Sequence, residues 1–205
     1  MRKVSGIAIV AAVLSMAGAA SAEIGDHGAS AHGDYGTVDD PRTHHDVKAR
    51  NDPETFAEDL RRKGRCEEAL PILRNLANGG SGYEISQYNL GLCLIDLAAK
   101  DPQHSPAENK EGADFILQAA NAGFGKAQAV AVGLYLDGTG VGADPVEAGK
   151  WAFVYHENGM RLALGLPDLA PDMLARLNAA LSGAKRTEAH ARANTWTPST
   201  EAADR

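Results

Sequence analysis

The chain has 205 residues, 44% of them hydrophobic and 5% aromatic, with 20 Lys plus Arg against 27 Asp plus Glu and two cysteines. A net charge of −7 leaves no basic excess to neutralise phosphates, and two cysteines are too few for a disulfide-built miniprotein or a four-cysteine zinc site. The apolar share suffices for a packed core, and its richness in Ala and Gly favours closely packed helices over a thick aromatic sandwich.

Arg2 and Lys3 precede an apolar run from Ile7 to Leu14, and small residues follow as far as Ala20-Ser21-Ala22. These are the three parts of a secretory signal peptide over 1–22, with cleavage expected after Ala22. The run is short for a membrane span, and no membrane insertion is expected after cleavage. The expected destination is oxidising: a bacterial periplasm, or the exterior. Residues 23–51 are rich in Gly, Asp and His with only scattered apolar side chains, the composition of a disordered leader. In it His27, His32, His44 and His45 alternate with Asp26, Asp34, Asp40 and Asp46. They are weak candidates for ligands of a divalent transition metal, because their spacing matches no helical ligand pair.

Helical periodicity begins at residue 52. Asp52-Pro53-Glu54 is a capping residue followed by proline in the first turn, Phe56 and Leu60 lie four apart, and Gly64 ends the segment. A second helix is predicted over 66–77, with Ala69, Ile72, Leu73 and Leu76 on one face and a stop at Asn78-Gly79-Gly80. A third is predicted over 83–99 on the recurrence of Leu90, Leu94 and Leu97, broken by a polar insert over 100–108. Further helices are expected at about 109–122, 126–136, 145–158, 171–182 and 185–194, with a link over 162–169 and a disordered tail over 196–205. No stretch alternates as a strand would, so the fold class is all-α.

Internal similarity organises these helices. Placing Ala127-Gln128 under Ser86-Gln87 brings Leu94 over Tyr135, Phe115 over Trp151 and Gly123 over Gly159, with extra residues in the first copy's middle loop. An earlier half-copy, Ala69, Ile72, Ala77 and Gly80, keeps the intervals of Ala148, Trp151, His156 and Gly159. A repeated helical hairpin cannot bury its apolar face alone, and stacking supplies the missing partner.

The stretch Gly123-Phe124-Gly125-Lys126-Ala127-Gln128, then Leu134 to Val141, Asp144 to Trp151 and Asn158-Gly159, resembles a Sel1-like repeat, a tetratricopeptide-related hairpin with a long connecting loop. The copy at 86–123 matches at Gln87, Tyr88, Asn89, Leu90, Gly91, Phe115, Ala119, Ala120 and Gly123, and departs at Gly112, where the family has alanine. The later copy has Val132 in place of a glycine and Tyr155-His156 in place of two alanines. The resemblance covers about 54–160. It implies a short α-solenoid of Sel1/TPR-like hairpins over 52–160 (about 52–80, 86–123 and 127–159), closed by capping helices over 161–195. It also implies a concave face of first helices that binds proteins or peptides. The positions exposed there by register are Gln87, Tyr88, Asn89, Leu92 and Asp96, then Gln128, Val130, Gly133 and Asp137. Asn89 matches the asparagine with which tetratricopeptide domains hold a peptide backbone or terminal carboxylate, and Val130 stands at that place in the next copy.

Cys66 and Cys93 lie at comparable distances on either side of the turn near Ser81, so neighbouring helices should bring them to similar heights. An oxidising compartment and an even count then favour a Cys66–Cys93 disulfide. Gly138-Thr139-Gly140-Val141-Gly142 has the look of a phosphate loop but follows a helix and lacks the Lys-Ser/Thr pair, so it is assigned to the repeat's connecting loop. Ser182-Gly183-Ala184-Lys185 has the Ser-x-x-Lys spacing of penicillin-recognising enzymes without their companion motifs. His104, His156 and His190 have no evident nucleophile beside them. The expected function is a periplasmic adaptor or regulator that binds another envelope protein or peptide, such as a sensor or assembly factor. No enzymatic activity, cofactor or nucleic-acid partner is expected. Metal binding by the leader is the alternative, and a cell-wall or β-lactam-related hydrolase a weaker one.

Overall fold

The computed structural model describes residues 52–101 and 105–199, and every regular element within them is a helix. The signal segment, the leader and its histidines, and residues 200–205 lie outside the described residues. Helix α1 (Pro53–Arg62) starts at its sequence signal: the Asp52 carboxylate accepts from the Thr55 amide at 2.9 Å and from its hydroxyl at 2.7 Å. Helices α2 (Cys66–Ala77) and α3 (Glu84–Lys100) are joined through Gly80 and Gly82 at φ 79° and 92°, where a side chain would be strained.

Helix α4 (Ser105–Asn121) begins within the predicted insert. Pro106 falls in its first turn, where a missing amide costs nothing, and Glu108 favours the helix N-terminus, so the proline starts this helix. Helices α5 (Gly125–Asp137) and α6 (Pro145–Glu157) follow, the latter capped by Asp144, which accepts from the amides of Val146 and Glu147 at 2.8 and 3.3 Å. A five-residue helix α7 (Gly159–Ala163), which periodicity cannot detect at that length, leads into the predicted link. Helices α8 (Pro171–Ala180) and α9 (Gly183–Thr195) complete the described chain.

Each of the first five helices packs on its successor, and α9 returns onto α6. Helix α3 is the centre of this arrangement and is buried without interruption from Ser86 to Ile95. Its Leu90, Cys93 and Leu94 join Ala57, Leu60, Cys66, Ala69, Leu73 and Phe115 in one cluster. Its Tyr88, Leu92 and Ile95 join Ile116, Ala131, Trp151 and Leu177 in the other. The expected disulfide is present: Cys66 and Cys93 bridge α2 to α3 across a Cα–Cα distance of 5.1 Å. Among the described residues no helix is long and apolar enough to cross a membrane.

The sequence predicts a disordered tail from Trp196, and the structure corrects this for residues 196–199. The Trp196 ring packs edge-on against Trp151 at 6.0 Å, and the Ser199 amide donates to the Asn121 carbonyl at 2.8 Å. One large aromatic in a polar stretch was the available signal, since burying a tryptophan outweighs the ordering of a few residues.

Candidate functional site

Packing against α3 decides the fate of the predicted binding face. Gln87, Tyr88, Asn89, Leu92 and Gln128, expected on an exposed surface, are 2%, 7%, 1%, 6% and 0% exposed. This corrects all five expectations of exposure. Helix α3 meets α1, α2 and α4, and its first turns also meet the start of α5, leaving little of its surface to solvent. Gly133 is buried as well. Asp96 and Val130 are half-buried, Val130 against the core, and Asp137 is committed to an ion pair with Arg176 of α8.

The buried glutamines each donate to a backbone carbonyl of the chain, with Gln87 Oε1 left without a partner among the described residues. Gln87 Nε2 donates to the Gly80 carbonyl at 3.1 Å, and Gln128 Nε2 donates to the Ala120 carbonyl at 3.3 Å. Gln128 thereby bonds a carbonyl in the last turn of α4, and Gln87 one in the loop just past α2. Tyr88 packs edge-on against Phe124 at 5.4 Å, and burial pushes its phenol above the ordinary tyrosine range.

Asn158 ties this region to the later helices. Its Nδ2 donates to Gln128 Oε1 at 2.7 Å and to the Gly123 carbonyl at 3.0 Å, while its Oδ1 accepts from the Arg161 amide at 3.1 Å as the cap of α7. Asn158→Ala removes all three bonds and leaves the buried Gln128 Oε1 without a donor, an expected loss of about 2 kcal/mol. Asn158→Asp keeps the cap but sets a carboxylate against two acceptors, so it should not restore stability. Urea unfolding of both variants checks this. An aspartate variant as stable as the parent would remove the donor role.

Polar chemistry that is only partly satisfied lies between α1 and α3. Ser86 Oγ donates to Glu54 at 2.6 Å, holding the start of α1 against α3. Farther along, the guanidinium of half-buried Arg61 donates through Nε to Asn89 Oδ1. Asn89 Nδ2 is buried and has no partner among the described residues, and Arg61 has no carboxylate partner among them. The guanidinium of Arg61 presents donors only, which suits a carbonyl or carboxylate oxygen. Sequence reasoning found Asn89 but missed Arg61, because the two are 28 residues apart and only the packing of α1 on α3 joins them. Phe56 of α1, and Tyr83 and Ile85 at the start of α3, are large apolar side chains left exposed.

The enzyme-like motifs have structural places. Gly138 at φ 70° ends α5, and Gly140 at φ 70° approaches α4 so closely that a Cβ would sit 2.0 Å from the Asn109 carbonyl oxygen. Ser182 caps α9 by accepting from the Lys185 amide at 3.4 Å. Among the described residues no three His, Cys, Asp or Glu side chains stand close enough to hold a metal ion. No protein-family model, curated protein or solved structure matches the chain.

Proposed function

We propose that this chain is an exported binding module of stacked Sel1-like hairpins, acting by occupancy on a partner protein or peptide in the bacterial envelope. The observation that carries the reading is the half-buried Arg61 guanidinium, which bonds Asn89 and has no carboxylate partner among the described residues, with exposed Ile85 one helical turn before Asn89 on α3. Equivalent positions in the two sequence copies also have equivalent roles. Gln87 and Gln128 each reach back to a backbone carbonyl seven or eight residues earlier, and Gly82 and Gly123, at φ 92° and 97°, each precede the cap of a first helix. A repeat would place the same backbone chemistry at the same register. The buried disulfide fits an oxidising compartment such as the periplasm. Polar recognition beside an apolar anchor is the usual form of a peptide-binding spot.

The test is photocrosslinking in cells, with the reactive group at Ile85 and a control at exposed Lys110 on α4. A discrete protein adduct from Ile85, absent from Lys110 and lost on Arg61→Gln, is the expected outcome. An exported, folded protein that traps nothing at Ile85 refutes binding on this face.

A further inference from the structure

We propose that the cleft between α6, α8 and α9 binds a small amphiphile with an apolar chain and a carboxylate head, of the medium-chain fatty-acid class. The cleft has a volume of about 330 Å³, at the small end of the range for ligand pockets and too small to seat a partner's helix. Its walls are apolar: Phe153 from α6, Leu174 and Leu177 from α8, Leu181 beyond it, and Leu169 from the segment before α8. Leu174 remains more than a third exposed there, so its apolar surface is available to a ligand.

The walls are fixed. Tyr155 donates its hydroxyl to the Pro167 carbonyl at 2.6 Å. Buried Arg161 donates to the Leu166 carbonyl at 3.1 Å and pairs with Asp168 at 3.0 Å, with its guanidinium over the Tyr155 ring. These bonds hold the segment that carries Asp168 and Leu169 against α6. A cleft with preset walls spends little of its binding energy on ordering.

Charge selects the head group. Arg186 of α9 lines the cleft and is oriented by a hydrogen bond from its Nη2 to Asn178 Oδ1 at 3.0 Å. It has no carboxylate partner among the described residues. The other charged side chain of the lining, Asp168, is already paired with Arg161. One guanidinium is therefore left uncompensated beside an apolar cavity. An alkyl carboxylate places its chain on the leucines and its head on Arg186, whereas an alkyl ammonium gains only the first of these.

Calorimetric titration of the purified protein with decanoate tests the proposal, with decanol and decyltrimethylammonium as head-group controls. Saturable binding at one site per chain is expected, weaker by about tenfold for both controls. Arg186→Gln, a change at an exposed side chain, should weaken decanoate about tenfold while leaving decanol and the unfolding midpoint unchanged. Leu174→Gln should weaken all three. Absence of saturable binding, or equal decanoate affinity in Arg186→Gln, overturns the site. Displacement of decanoate by a lower concentration of a short peptide ending in leucine overturns the assignment to a small amphiphile.

Discussion

Loss of the Cys66–Cys93 bridge is expected to cost about 3–4 kcal/mol of stability, the chain-entropy value for a loop of this size. The bridged residues are 27 apart, so the crosslink removes many conformations from the unfolded chain while asking little of the folded one. Both sulfurs are buried beside Leu60, Leu73, Leu90 and Phe115, surroundings that accept an uncharged sulfur but offer nothing to a thiolate. Reductant should therefore act slowly on the native state and reach the bridge through opening of α2 from α3. Against a total stability of about 5–15 kcal/mol for an ordinary domain, the loss is large. Urea unfolding of Cys66→Ala/Cys93→Ala beside the parent, with and without dithiothreitol, measures it. A parent whose midpoint ignores dithiothreitol at equilibrium has no bridge to lose.

The second large effect runs against helix propensity. Gly91→Ala places a better helix former in the middle of α3, a gain of about 0.5–1 kcal/mol on intrinsic grounds. The added Cβ, however, would lie 2.5 Å from the Gly112 carbonyl oxygen and 2.5 Å from Ile116 Cγ1. Gly112→Ala meets the reciprocal obstacle, 2.8 Å from the Gly91 oxygen and 2.9 Å from Ile95 Cγ1. Backbone cannot rotate aside as a side chain can, so α3 and α4 must separate. Overpacking of this kind costs about 3 kcal/mol, which overrides the propensity gain. Gly183→Ala, at the start of α9 with nothing within 4 Å of the new Cβ, is the control and should be neutral or slightly stabilising. If Gly91→Ala unfolded at the same urea concentration as this control, the close approach of α3 and α4 would be wrong.

Local chemistry made most helix ends legible. Asp52 and Asp144, each followed by proline, cap where they were expected to, because a side-chain acceptor and its target amides lie within three residues. The start of α4 was misplaced because Pro106 reads either as a breaker or as a first-turn residue, and position within the helix decides which. Trp196 was missed because its partner, Trp151, is 45 positions away and no local pattern connects them. Arg61 was missed as a companion of Asn89 for the same reason.

By itself the sequence determined that the described residues are helical, where most of their helices run, and which two cysteines meet, since each follows from spacing along one helix or across one short turn. It could not determine which helix faces meet solvent. Helix α3 carries glutamine, tyrosine and asparagine in succession, residue types that ordinarily mark a wet surface, and all three are buried. A buried polar side chain needs a partner to offset its desolvation, and here Gln87 reaches Gly80 and Asn89 meets Arg61, while the Tyr88 ring packs on Phe124, all through groups of other segments. Tertiary structure decided the site because the burial of a polar group depends on groups far away in the chain.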